Sequence, residues 1–132
     1  MIGLDTNVLV RYLTQDDVAQ ARKANALMTD LLSKGERCFI GSVVLCEVVW
    51  VLRGAYGFDK ATIVSVLEKL LATGQFTFQD KDLARRAILD YRTGRGDWAD
   101  YLIGRQAEDA GCGFTATFDR RLHNCPLFQT LA

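Results

Sequence analysis

Short apolar runs alternate with longer stretches of helical periodicity along the whole chain. Residues 2–4 are apolar, Asp5, Thr6 and Asn7 follow, and a second apolar run opens at Val8. That order reads as a buried strand handing over directly to a helix across 8–13. Ala21, Ala24, Leu27, Met28, Leu31 and Leu32 recur at helical spacing within 16–33, and Gly35 supplies the stop signal. Residues 38–40 predict a second strand. Gly41 and Ser42 then open a helix with Ser42 as its N-cap. From Val43 to about residue 55 that helix is apolar nearly all round, which predicts burial. A further helix spans 59–73, with Ile63, Val66, Leu67, Leu70 and Leu71 on its inner face. Residues 76–78 alternate as a third strand. Helix returns over 80–91, with Leu83, Ala84, Ala87, Ile88 and Tyr91 inward, and again over 98–110. Residues 113–118 predict a fourth strand, and 127–130 a fifth at an edge. Strands separated by helices need crossover connections, so the sheet is parallel and covered on both faces. The expected fold is α/β: three layers, α/β/α, around a central, mainly parallel sheet of four or five strands.

Pro126 is the one proline, and neither repeats nor low-complexity linkers interrupt the pattern, so 1–132 is expected to form a single domain. A hydrophobic share of 49% and a charged share of 24% suit a globular chain rather than a disordered one. No apolar run reaches the roughly 18 residues that span a membrane. The N-terminus lacks the basic, apolar and small-residue regions of a signal peptide, so the expected location is cytoplasmic. Cys38, Cys46, Cys112 and Cys125 form no CxxC pair and are expected to be buried free thiols. His123 and Cys125 lack the partners of a zinc site, and His123 is expected at the surface.

The 16 basic and 16 acidic residues cancel. Zero net charge argues against a protein whose main task is gripping nucleic acid by its phosphates. It leaves open an enzyme that meets nucleic acid locally. The arginines gather in the second half, at Arg85, Arg86, Arg92, Arg95, Arg105, Arg120 and Arg121.

Five acids stand out from this background. Glu47 is the one polar side chain between Val43 and Leu52, where a charge is costly unless something pairs with it. Asp5 and Asp119 each follow a predicted strand directly, at the carboxyl edge where α/β sheets bind ligands. Asp97 and Asp100, three apart, share one face of a helix. A bland account exists for most of them: Asp5, Asp97 and Asp119 all suit N-caps, and Asp100 suits a first helical turn. As a set they say more. Several carboxylates brought together repel unless a cation neutralises them, and hard oxygen ligands without His or Cys select Mg²⁺ or Mn²⁺. Such a centre hydrolyses phosphodiesters by activating a water and sharing the charge that develops on phosphate. Arg92, Arg95, Arg120 and Arg121 are candidate contacts for the substrate phosphates.

At this level the chain resembles a PIN domain, and within that family a VapC-type toxin ribonuclease of a type II toxin–antitoxin system. The matching pieces are LDTNVLV at 4–10, SVVLCEVVWVLR at 42–53, DWADYLI at 97–103 and TATFDRRL at 115–122. They occur in the family's order and span nearly the whole chain. The resemblance implies that Asp5, Glu47, Asp100 and Asp119 are the catalytic and metal-binding acids. It makes Thr6, Asn7, Asp97 and Thr117 supporting positions. It further implies a Mg²⁺- or Mn²⁺-dependent endoribonuclease acting on RNA, a homodimer, and a cognate antitoxin whose C-terminal segment covers the acids. Family members that process RNA without an antitoxin are the alternative.

Two other α/β readings are weaker. A phosphatase of the haloacid dehalogenase type places a second acid two residues after its nucleophile, where this chain has Asn7, and needs a lysine near the later acids. A non-enzymatic receiver-like module needs two acids ahead of its phosphorylated strand, and none is found among the four residues before Asp5.

Overall fold

The computed structural model describes residues 1–131, and its five strands are all parallel but pair as three and two. Two units are distinguished, Met1–Lys81 and a second from Asp82 onward.

The first unit runs β1 (Ile2–Gly3), α1 (Thr6–Thr14), α2 (Val18–Ser33), β2 (Cys38–Ile40), α3 (Ser42–Gly54), α4 (Lys60–Ala72) and β3 (Phe76–Phe78). Strand order is β1-β2-β3, with Ile2 opposite Cys38 and Phe39 opposite Thr77. Alternation puts Cys38, Ile40, Phe76 and Phe78 in the core, where Leu9, Val48, Leu52, Ile63 and Leu67 meet them from the helices. Burial also pushes the Cys38 thiol upward. The turn between α1 and α2 is built around Asp16, which accepts hydrogen bonds from the Thr14 hydroxyl (2.7 Å), the Tyr56 hydroxyl (2.8 Å) and the Arg11 guanidinium (3.2 Å). These bonds, that from Thr14 foremost, hold the Asp16 carboxyl down at about 2.

The second unit contains α5 (Lys81–Thr93, apart from its first residue), α6 (Trp98–Asp109), β4 (Thr115–Thr117), a 3₁₀ turn at Arg120–Leu122, and β5 (Phe128–Thr130). β4 and β5 pair with Thr115 opposite Phe128 and Thr117 opposite Thr130. Tyr91, Trp98 and Leu122 are fully buried, and the rings of Tyr91 and Trp98 meet edge to face at 6.2 Å. Arg86 bridges Asp82 and Asp109, and Arg105 bridges Asp90 and Glu108, tying α5 to α6. At Gly104 the helix α6 packs against Phe128 of β5. A Cβ there would lie 2.9 Å from the Phe128 ring.

The α/β class and the parallel pairing agree with expectation, and all five expected strands are present, β2 and β3 with the expected bounds and β1, β4 and β5 shorter. The details differ for physical reasons. Helix α1 starts at Thr6 rather than Val8, because Asp5 caps it. Ser42 is the first residue of α3, not its cap. Gly41 holds the cap position, and the Gln79 side chain, arriving from the end of β3, accepts the Ser42 N–H at 3.0 Å. Helix α3 is not buried all round either: Val43 is 72% and Trp50 79% exposed. Of the cysteines only Cys38 is buried, and Cys112 is exposed. His123 lies at the surface. Among the described residues no helix is long and apolar enough to cross a membrane.

Two outcomes follow for stability. Alanine at Gly104 gains about 1 kcal/mol of helix propensity, but overlap with the buried Phe128 ring costs about 1–3 kcal/mol. We therefore expect Gly104→Ala to lower the melting temperature. Gly54→Ala, at an α3 position where a Cβ meets nothing within 4 Å, should not. For Asp16 the folded pKa lies below the usual aspartate range, so its contribution is complete above that range and is lost as pH falls toward 2. Carboxyl NMR titration should locate its midpoint near pH 2 in the native protein and appreciably higher in Tyr56→Phe.

Candidate functional site

Parallel pairing brings the first two acids together. β1 and β2 run side by side in the same direction, so the helices that follow them, α1 and α3, start at the same edge of the sheet. At that edge the Thr6 hydroxyl donates to Glu47 Oε1 at 2.9 Å. Asp5 sits one residue before α1 as its N-cap, and its Oδ1 accepts the Val8 N–H at 3.0 Å. Asp5 and Glu47 therefore each have one carboxylate oxygen fixed by α1 and the other open among the described residues. Both side chains are exposed. Glu47 has no buried cationic partner. It lies on the exposed stripe of α3 with Val43 and Trp50, so a polar side chain in that helix carries no burial cost. Asn7 is exposed beside a largely apolar cleft between α1 and α2 that Asp5, Val8, Arg11, Lys23 and Leu27 also line.

The second unit assembles the other three acids around one cation. Asp97 is the N-cap of α6, and Asp100, in the first turn, accepts the Asp97 N–H on Oδ2 at 2.8 Å. Close approach of the preceding loop depends on Gly96, where a Cβ would stand 2.5 Å from the Leu122 side chain and 3.1 Å from Asp100 Oδ2. Asp119 leaves β4 and caps the 3₁₀ turn through the Arg121 N–H (2.9 Å), while its own N–H donates to Thr117 Oγ1 (3.0 Å). The Arg121 guanidinium folds back on Asp119, with Nε 3.0 Å from Oδ1 and Nη2 2.6 Å from Oδ2. The same Nη2 lies 3.4 Å from Asp97 Oδ2 and 3.9 Å from Asp100 Oδ2. Its hydrogen bonds to the Asp119 carboxylate hold that group below the usual aspartate range, and they hold the guanidinium above its own.

One nitrogen thus has three carboxylates within 3.9 Å. The donor chemistry suits a hard divalent cation: carboxylate oxygen, with no imidazole or thiolate in the cluster. With Arg121 among them the acids do not close around a common point, and among the described residues no three His, Cys, Asp or Glu side chains are grouped to hold an ion as they stand. Of the arginines singled out by sequence, Arg121 pairs with the acids, Arg95 lines a cavity beside it, and Arg92 and Arg120 are exposed outside that lining. The sequence did not single out Gln79, Asn124 or Gly96. The close approach at Gly96 has a local trace, the Gly-Arg-Gly spacing ahead of Asp97. The other two are positioned by tertiary structure.

The caps separate structure from chemistry. Asparagine keeps the oxygen that accepts the Val8 or Asp97 N–H, and alanine does not. We expect Asp5→Asn and Asp100→Asn to melt within a few tenths of a kcal/mol of the parent without metal, and Asp5→Ala to lose about 1 kcal/mol, as read by chemical denaturation.

Comparison with known proteins finds similarity over most of the chain. The "VapC ribonuclease" of Aquifex aeolicus (strain VF5) is 29% identical over 118 residues, covering 89% of this chain and 87% of the relative. The PIN domain profile matches residues 2–126, which include all the acids described above. The chain belongs to the PIN domain family.

Proposed function

We propose that this protein is a metal-dependent endoribonuclease that hydrolyses RNA phosphodiesters, with Asp5, Glu47, Asp100 and Asp119 as its catalytic acids and Mg²⁺ or Mn²⁺ as its cofactor. The observation that carries the reading is the cation held among Asp97, Asp100 and Asp119 in a chain of the PIN family, whose nucleases generally use divalent metal ions. Bound there, the metal would supply Lewis acidity toward water and the scissile phosphate. The chain's own groups do the positioning. The Thr6 hydroxyl fixes one oxygen of Glu47, the Val8 N–H fixes one of Asp5, and the Asp97 N–H fixes one of Asp100. Each bond orients a carboxylate and leaves its second oxygen available. Thr117 restrains the Asp119 backbone, and Arg95 carries a guanidinium suited to bidentate contact with phosphate, while that of Arg121 is paired with Asp119.

Single-stranded or looped RNA is the proposed substrate, since its backbone is accessible without strand separation. Water attacking phosphorus in line leaves a 5′-phosphate and a 3′-hydroxyl. A mechanism through the RNA's own 2′-hydroxyl wants an acid and a base, commonly two imidazoles. This chain has one histidine, His123, exposed and bonded to its own turn at Arg120 O.

The A. aeolicus relative supports the role of toxin in a toxin–antitoxin pair. Val43 and Trp50 flank Glu47 on the exposed stripe of α3 and offer apolar surface to an antitoxin segment or to a second copy of the chain. We propose a homodimer that an antitoxin inhibits by covering the acids.

Two outcomes test the reading. Cleavage of single-stranded RNA should require divalent metal, stop with excess EDTA, survive His123→Ala, and fall by at least about 10²–10³-fold in Asp5→Asn and Asp100→Asn, the scale of losing one preorganised electrostatic group. End analysis should show 5′-phosphates; cyclic phosphates would refute water as the nucleophile. Sedimentation should show self-association that Trp50→Ser weakens, and a strict monomer would remove the dimer.

A further inference from the structure

We propose that Arg121 is an internal cation that the metal displaces, and that the displaced guanidinium then takes the substrate phosphate in the cavity beside it. Metal and phosphate would thereby bind with positive coupling through one side chain. The inference rests on the reading of these acids as metal ligands.

Arg121 stands where two functions conflict. Its Nη2 lies 2.6, 3.4 and 3.9 Å from the carboxylates of Asp119, Asp97 and Asp100, among acids that a divalent ion would have to draw closer together. A dication and a guanidinium cannot share that space, because each is repelled by the other and both draw on the same Asp119 oxygens. The side chain is half exposed, so leaving the acids breaks no packed core. Its main chain stays in place, because the Arg121 N–H is anchored on Asp119 Oδ1 at 2.9 Å. The arginine therefore swings on a short tether.

It has somewhere to go. A cavity of about 350 Å³ borders the same residue, lined also by Thr93, Arg95, Tyr101 and Asn124. Arg95 and Asn124 bring donors, and Arg121 would add a second guanidinium. The carboxylate in its wall, Asp90, is neutralised by the Arg105 fork at 2.7 and 2.8 Å. Two guanidinium groups, an amide and a locally neutralised acid make a place for a phosphate oxyanion. With the metal absent, Arg121 shields the acids and leaves that place one cation short. With the metal bound, its charge is released to the phosphate. Such coupling is reciprocal by thermodynamic necessity.

The test uses the intact protein and two probes: Mn²⁺, followed by electron paramagnetic resonance, and inorganic phosphate, titrated calorimetrically with and without saturating Mg²⁺. Arg121→Gln should bind Mn²⁺ more tightly than the parent, by about fivefold or more. Loss of an ordinary supporting residue would instead weaken it. The parent should bind phosphate about fivefold or more tightly once Mg²⁺ is present, whereas Arg121→Gln should bind it weakly and indifferently to Mg²⁺. Arg121→Lys, which keeps the charge without the fork, should return part of both effects. Unchanged or weaker Mn²⁺ binding in Arg121→Gln, or full coupling surviving in it, overturns the inference and leaves the metal site standing. Failure of the parent itself to bind Mn²⁺ overturns the metal reading and this inference with it.

Discussion

Parallel strand pairing obliges neighbouring strands to end at the same edge, and every strand that ends there must pass its chain to a helix or turn with unpaired N–H groups. In the first unit this sets α1 beside α3 and brings Thr6 to Glu47. In the second it sends β4 into a 3₁₀ turn whose first N–H groups need an acceptor. Short acidic side chains meet that need, which is why Asp5 and Asp119 stand at these junctions; Asp97 holds the N-cap position of α6 after a loop from α5. The same edge is where an α/β sheet exposes ligands. A capping role therefore does not exclude a chemical one for these residues. A cap engages one carboxylate oxygen with the backbone, fixes the side chain, and leaves negative charge facing outward.

Charge assembled in this way has to be countered. In the second unit Arg121 does so, two residues after Asp119 and within reach of Asp97 and Asp100 as well. Other arginines of the same half are engaged elsewhere: Arg86 with Asp82 and Asp109, Arg105 with Asp90 and Glu108. Within the basic cluster visible in the sequence, Arg86 and Arg105 hold helices together and Arg121 meets the acids. Zero net charge conceals that division, because pairing is a matter of geometry and not of count.

The hydrophobic pattern was enough to place the α/β order, the strand positions and the acids at strand ends, because periodicity and strand-to-helix handover are local properties. It failed where a distant residue decides the outcome. Ser42 reads as a cap until Gln79 arrives from another strand to take its N–H. Helix α3 reads as buried all round because Glu47 alone marks the stripe that carries Val43, Glu47 and Trp50 to the surface. Arg121 stands out in the sequence as a candidate phosphate contact, but its fork on Asp119 and its approach to Asp97 and Asp100 depend on how the 3₁₀ turn and α6 pack. The pairing of strands as three and two was likewise beyond the pattern, since alternation identifies a strand without naming its neighbour.

We propose that Asp5, Glu47, Asp100 and Asp119 bind divalent metal as well as serving as caps and anchors. Mn²⁺ affinity measured by paramagnetic resonance on Asp5→Asn, Glu47→Gln, Asp100→Asn and Asp119→Asn addresses it most directly, because each substitution keeps shape and an acceptor oxygen while removing charge. The account predicts that every one of the four weakens Mn²⁺ by more than about tenfold, the scale of even indirect ligand support, with metal-free stability maintained. Wild-type Mn²⁺ affinity in Asp5→Asn and Glu47→Gln would contradict it, and would leave those two acids with structural roles alone.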